Sequence, residues 1–350
     1  MTNSTATWLV PEWAKQSAVF LAWPYAEGDF SPWLEEVEAA YLEIVYQIHL
    51  RERVWVAVHS HDLKASIEGR LIARGVVLEK RVVLIVMPYN DVWVRDSAPL
   101  TVKGPMGHRL LNFRFNGWGG KYDYAQDAKL AGRLYDTGLL GATPIDEIDF
   151  VLEGGSVESD GLGSIMTTSR CLLNPNRNPS YHKKEIEAIL RMHLGSTQIL
   201  WLDHGHAEGD DTDAHIDTLA RFCSDRVIAY TACIDSQDPL FEEFKRMEDQ
   251  LEKFRRPDGG AYDLVPLPMP KPILSEDGQR LPATYANFLI INGAVLVPIY
   301  GDPQDDVALH RLQQVFQGRE IVPIDCVPLI RQYGSLHCMT MQFPEEIGGF

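Results

Sequence analysis

The sequence predicts an α/β fold: one closed domain spanning residues 1–350, with about five hairpin–helix–strand units set around a shared centre. Three observations predict it. Apolar runs of strand length alternate with stretches of helical periodicity along the whole chain. An acidic or amide residue (Asp96, Glu153, Asp217, Asn287) recurs at the same place in successive units. No Ser/Gly/Pro-rich linker divides the chain. Sequence identity between units is negligible, so the repeat is one of pattern alone.

In chain order, Ala18–Pro24 reads as an apolar strand stopped by proline. Trp33–Leu50 carries Leu34, Val37, Tyr41, Ile44, Val45 and Ile48 at helical spacing, with Ser31 and Pro32 as cap and first-turn proline. Val54–Val58 is a short strand, Asp62–Arg74 an amphipathic helix, and Val82–Val86 another buried strand. The second unit has a hairpin over 99–115, a helix over 125–135 and a strand over 148–152. The third opens at Glu153, turns at Asp160-Gly161, and adds a helix over 183–193 and a strand over 198–202. In the fourth, His215 and Asp217 open a hairpin continued by Val227–Tyr230, followed by a helix over 241–254 and a strand near 262–267. The fifth opens at Tyr285-Ala286-Asn287, with Asn292-Gly293 between apolar runs as a hairpin signal. Its helix is 305–316 and its strand 320–324, and Leu336–Phe343 supplies a strand to close onto the first unit. Pro266–Pro272, with four prolines, reads as a surface loop.

Composition narrows the function. A formal net charge of −17 argues against phosphate backbones and anionic membranes as partners and favours cationic ligands. Met1–Trp13 lacks a basic stretch followed by an apolar core, and no apolar run approaches the roughly 20 residues of a membrane helix. Five cysteines, without CxxC spacing, make neither a disulfide framework nor a structural zinc site. The expectation is a cytoplasmic protein.

The densest chemistry is Asp211-Thr212-Asp213-Ala214-His215-Ile216-Asp217. Read as a strand, it puts His215 and Asp217 on one face, where an imidazole beside a carboxylate can bind metal, exchange protons or clamp a cation. The plain alternative is a satisfied core histidine and a solvated turn. Cys338 follows a glycine and a serine that would let a substrate approach, and a nucleophilic thiolate needs a cationic neighbour: His215, His337 or a bound cation. Taken alone, such a cysteine is more often an inert apolar residue. Asp91–Asp96 alternates in the strand sense, with Asp91, Trp93 and Arg95 on one face and Asp96 on the other. Asn116–Lys121 is a glycine-flanked tryptophan loop suited to a lid, or else a plain turn. A metal reading of His204, His206, Asp210 and Asp211 lacks any recognised ligand spacing.

Seven motifs stand in one order: Asn90-Asp91-x-Trp93-x-Arg95-Asp96, Phe115-Asn116-x-Trp118-Gly119, Glu153-Gly154-Gly155-Ser156, Leu173-Asn174-x-Asn176-Arg177-Asn178-Pro179, Asp211-Thr212-x-x-His215-Ile216-Asp217, Tyr285-x-Asn287-Phe288 and Gly334-Ser335-Leu336-His337-Cys338. Together they resemble the agmatine deiminase and bacterial peptidyl-arginine deiminase family of the guanidino-group-modifying superfamily, from Pro11-Glu12-Trp13 to the last residues. The resemblance implies a five-bladed, pseudo-symmetric α/β propeller. It also implies Cys338 as nucleophile, His215 as general acid/base, Asp96 and Asp217 as the carboxylates that grip a guanidinium, and Glu153 as the carboxylate that orients the histidine. Asp211, Trp93 and Trp118 are expected to bind substrate, with no metal and no organic cofactor. The expected partner is a small cationic guanidino compound, neither nucleic acid nor membrane, and a homo-oligomer is allowed. Agmatine is the expected substrate, with N-carbamoylputrescine and ammonia as products. Peptidyl-arginine or another arginine derivative is the alternative, and a non-catalytic receptor or a metal-dependent hydrolase stands further off. Lys121 and Arg114, near the tryptophan loop, would instead suit a carboxylate. The chain departs from the family pattern at Ala98, at Asp213-Ala214 where Asn-Gly is usual, and at Tyr333 where glycine is usual.

Overall fold

The computed structural model describes residues 7–206 and 209–348. The first six residues of the Met1–Trp13 segment lie outside it. The described residues form five small sheets, none closed on itself. Four share one plan: an antiparallel pair followed by a parallel strand reached through a helix. Leu100–Gly104 and Gly107–Arg114 pair in this way with Ile145–Val151, across the helix Leu130–Asp136. Val157–Ser159 and Ser164–Thr168 pair with Gln198–Leu202, across Lys183–Leu194. Ala220–Phe222 and Val227–Ala232 pair with Asp263–Pro268, across Phe241–Leu251. Leu289–Ile291 and Ala294–Ile299 pair with Glu320–Asp325, across Gln304–Val315. The covalent reason is simple: antiparallel strands join through a tight turn, whereas parallel strands need a long crossover.

The remaining sheet uses both ends of the chain. Met341–Pro344 lies antiparallel to Gln16–Ala22, which is parallel to Arg53–Val58, itself parallel to Val82–Val86. The C-terminal strand thus closes onto the first unit as the pattern predicts. Trp8–Leu9, unforeseen, pairs with Leu100–Gly104. Trp23, Trp55, Tyr41, Phe20 and Phe288 are among the fully buried side chains around which the layers pack. No helix among the described residues is long and apolar enough to cross a membrane.

Three local expectations are corrected. Asp91–Asp96 is not a strand, because Val94–Ser97 forms a helical turn that buries both Arg95 and Asp96. His215–Asp217 is not a strand either: His215 heads a 3-10 turn over Ile216–Thr218. The cause lies upstream, where Asp210 accepts the backbone N–H groups of Thr212 (3.0 Å) and Ala214, while Asp213 and Ala214 take left-handed φ of 67° and 65°. The proline-rich segment is half strand, with Pro266 and Pro268 inside Asp263–Pro268 at the edge of its sheet. Proline survives there because alternate residues of an edge strand turn their backbone nitrogens away from the ladder.

Candidate active site

Each sheet supplies a polar side chain from the segment just ahead of its leading strand. Asp96 precedes Leu100–Gly104, Glu153 precedes Val157–Ser159, and Asp217 precedes Ala220–Phe222. Asn287 precedes Leu289–Ile291, and Cys338 precedes Met341–Pro344. All five are buried.

Asp96 is fixed at both oxygens. The Gly155 backbone N–H donates to Oδ1 and the Trp118 indole N–H to Oδ2, each at 2.8 Å. Burial first, then Asp217 and Glu153, push its carboxyl upward against the pull of His215. His215 Nδ1 stands 3.7 Å from Asp96 Oδ1. Burial alone would lower this imidazole, but Asp96 leads the neighbouring groups that hold it well above its ordinary value. Asp217 Oδ2 accepts from His337 Nδ1 at 2.7 Å, while its Oδ1 has no partner. Burial opposes ionisation of Asp217, yet His337, His215 and Arg221 keep it below the usual carboxylate range.

Cys338 Sγ lies 3.6 Å from Asp217 Oδ2 and 3.3 Å from Asn287 Nδ2, an amide N–H donor. Burial, then Asp217 and Asp96, push its thiol well above the ordinary value. Negative charge on the sulfur is therefore costly until something positive enters between it and the carboxylates.

Gly155 is what lets these groups meet. A Cβ there would stand 2.8 Å from His215 Nδ1, 2.9 Å from Asp96 Oδ1 and 3.1 Å from Asp217 Oδ2. Gly334 plays a different part from the one its sequence position suggests. Its missing side chain makes room for the Trp93 ring, which a Cβ would meet at 2.4 Å.

Glu153 Oε1 accepts from Arg177 Nε at 2.8 Å, and its Oε2 is unpartnered. Arg177 also donates to Asp213 Oδ2 at 2.7 Å and to the Thr212 carbonyl at 2.8 Å. Asp213 Oδ2 takes a second cation, Lys121, at 2.9 Å, and Lys121 also reaches the Asp211 carbonyl. The Tyr122 hydroxyl donates to Asp211 Oδ2 at 2.8 Å. The tryptophan loop is accordingly drawn down rather than free: Trp118 is buried, with a left-handed φ of 55°.

A cleft of about 420 Å³ opens beside Cys338. Its floor is Asp96 and Cys338, its walls are Trp93 and Trp118, and Tyr122, Tyr333, Asp29, Asp91 and Asp211 also line it. No lysine or arginine is among the lining residues. Asp211 is pushed up to about 6, mainly by burial, and Asp91 to about 8, again chiefly by burial with Asp29, Asp127 and Asp211 adding to it. Arg114 points elsewhere, to Asp149 at 2.8 Å on the exposed edge of its sheet. His204 lies 3.6 Å from Glu243 and belongs to neither of the ligand-spaced clusters found among the described residues.

All the expected site residues, Asp96, Glu153, His215, Asp217, Cys338, Trp93, Trp118 and Asp211, meet in or around this cleft. Sequence reasoning gave no role to Arg177, Asn287, Tyr122, Asp29 or Asp91. Asn287 carried a signal, since an amide there continues the acidic series of the repeat. Asp91 stood in the Asn90–Asp96 motif without a role, and Asp29 carried no signal, because only the folded chain brings them to one mouth.

The chain matches the model of the Porphyromonas-type peptidyl-arginine deiminase family over residues 8–344. It is 31% identical to the agmatine deiminase of Stutzerimonas stutzeri (strain A1501), over 98% of this chain and 99% of that one. A Cys-to-Ser variant of C. jejuni agmatine deiminase, solved with substrate bound, is 32% identical, with a TM-score of 0.90 over 99% of both chains. A Porphyromonas gingivalis protein provisionally named arginine deiminase is 42% identical, with a TM-score of 0.91 over 97% of this chain and 99% of that one.

Proposed function

The chain belongs to the Porphyromonas-type peptidyl-arginine deiminase family and is a hydrolase acting on C–N bonds of amidines; from that premise we propose that it hydrolyses free agmatine through a covalent Cys338 adduct. The observation that carries the reading is the cleft floor. There a cysteine sulfur lies 3.6 Å from one carboxylate and shares the cleft with a second, Asp96, while Asp217 Oδ1 is left without a partner.

A guanidinium is planar, charged and a poor electrophile. Asp96 and Asp217 hold it by charge-assisted hydrogen bonds and set its carbon against Cys338 Sγ. Its charge offsets the two carboxylates that burden the thiol, so the sulfur releases its proton to solvent as substrate arrives. The thiolate adds to the guanidinium carbon. His215, already protonated, passes a proton to one amino group, which leaves as ammonia, and an amidino–thioether remains. Neutral His215 then takes a proton from water as that water adds to the same carbon. The C–S bond breaks as the adduct's hydroxyl proton passes to the departing sulfur, so the ureido product, N-carbamoylputrescine, leaves and the thiol is restored. Glu153, held by Arg177 at one oxygen, keeps its charge near His215 and favours the protonated imidazole. The five sheets then act as blades of one pseudo-symmetric propeller domain, each delivering a group to the axis.

Agmatine is favoured over peptidyl-arginine and free arginine by the mouth. Three aspartates line it beside two tryptophans that suit an aliphatic stem, and no lysine or arginine is among the described residues that line it. The deciding measurement is kcat/KM for agmatine, free arginine and a blocked arginine peptide, with Cys338→Ser as control. Agmatine is expected to lead and the variant to release no ammonia. A peptide that turns over better than agmatine would overturn the substrate, and an active Cys338→Ser enzyme would overturn the chemistry.

A further inference from the structure

One buried cysteine stands beside the acid/base histidine without a part in the reaction. Cys171 lies on the turn Ser169–Leu172, which follows the strand Ser164–Thr168, and it is fully buried. Cys171, Glu153 and His215 each offer a ligand atom within 4.8 Å of the other two. Two donor atoms of this group are buried and lack a hydrogen-bond partner: Glu153 Oε2 and His215 Nε2. The opposite side of each group is already engaged, since Arg177 holds Glu153 Oε1 and Asp96 faces His215 Nδ1. What remains is a sulfur, an imidazole nitrogen and a carboxylate oxygen converging on one point. That mixed set suits zinc, a borderline-soft ion bound tetrahedrally by thiolate, imidazole and carboxylate.

We propose that Cys171, His215 and Glu153 form an inhibitory Zn²⁺ site. The proposal rests on the reading of His215 as the proton carrier. Zinc bonds of about 2.0–2.3 Å bring ligand atoms to roughly 3–4 Å from one another, so small side-chain movements close this cluster on the ion. A thiolate and a carboxylate neutralise the dication, and nearby Arg177 and Asp96 offset each other. Binding displaces protons from the thiol and the imidazole, so affinity rises with pH. With its ring nitrogen on the metal, His215 protonates no leaving group, and turnover stops. The fourth position stays open, and a chelator restores the enzyme.

The test separates the metal site from the reaction. Co²⁺ is titrated into the full-length Cys338→Ser protein, where the nucleophile cannot serve as ligand. Thiolate-to-cobalt absorption at one equivalent is expected, and its loss in the Cys338→Ser/Cys171→Ser double variant. In parallel, Zn²⁺ inhibition of ammonia release is measured for wild type and for Cys171→Ser, with Cys171→Ala as a second variant should serine perturb the core. Metal-free turnover is expected to be unchanged and the inhibitory Zn²⁺ concentration to rise at least 10-fold, in keeping with the cost of weakening a zinc site. Equal zinc sensitivity in the Cys171 variants, or no thiolate–cobalt absorption, overturns the site. A protein that deiminates nothing still gives the cobalt answer, so failure of the reaction reading is read separately.

Discussion

At the scale of single residues, the site depends on a side chain that is absent. Gly155 donates its N–H to Asp96 and leaves open the space where His215, Asp96 and Asp217 approach one another. Gly155→Ala would push a methyl group into all three. Displacements of this order at a reacting centre cost about 10²-fold or more. The expected outcome is a loss of that size in kcat/KM with a melting curve close to wild type; full activity in the alanine variant would show that the three groups need not meet there. Asp211 gives a second expectation. Its carboxyl titrates at about 6, above an ordinary aspartate, mainly through burial. Below that pH it is neutral and no longer attracts a cationic substrate tail, so KM for agmatine should rise as pH falls through 6 while kcat changes less. A flat KM between pH 5 and pH 8 would remove Asp211 from the substrate site. Tyr333 is the third residue of note: with φ of 63° it occupies a conformation that glycine adopts freely, and its ring lines the mouth. Backbone strain is thus retained where the substrate enters.

Among the elements, the tryptophan loop has a defined latch. Asn116 Oδ1 accepts the Gly119 N–H at 2.9 Å, Asn116 Nδ2 donates to the Asn176 carbonyl at 2.9 Å, and Lys121 and Tyr122 reach the Asp211–Asp213 segment. Asp213 joins the loop to the chemistry, because the same oxygen that receives Lys121 receives Arg177, the holder of Glu153. Lys121 is one-third exposed. Its pair is therefore worth only about 0.2–1 kcal/mol, and Lys121→Gln should raise KM by roughly 1.4–5-fold with little change in kcat. KM should rise with ionic strength in both proteins, and less steeply in the variant, which lacks the screened Lys121 pair. A variant whose KM keeps the same salt dependence would assign the effect to charges elsewhere.

For the whole molecule, burial of carboxylates sets the pH dependence of stability. Burial raises Asp91 to about 8, and Asp127 and Glu52 to about 7. An ordinary carboxyl titrates near 4, so between about pH 4 and 8 the folded chain binds more protons at these sites than the unfolded chain. Stability therefore falls as pH rises through that window. Asp217, Asp213 and Glu12 are shifted the other way and lose their contribution only in acid below the ordinary carboxylate range. The melting temperature should be higher near pH 5.5 than near pH 8.5, as calorimetry at matched ionic strength would register. A higher value at pH 8.5 would mean that these carboxyls are not the groups governing it.

The order of strands and helices was legible in the chain, because periods of 2 and 3.6 are local properties and hairpin turns announce themselves, as at Asn292-Gly293. The repeated acidic or amide position was legible too, and so were the residues proposed to react, since Cys338, His215 and the carboxylates stand in motifs that survive as text. Geometry was not. Whether His215 and Asp217 share a strand face depended on Asp210 bonding the backbone of Thr212 and Ala214, a competition that tertiary surroundings resolve. That Gly334 yields to Trp93, that Asp213 unites Lys121 with Arg177, and that Asp29, Asp91 and Asp211 meet at one mouth are contacts between segments far apart in the chain. A sequence records which groups are available. Their distances, and with them every shifted proton affinity in the site, exist only once burial and long-range packing have brought the charges together.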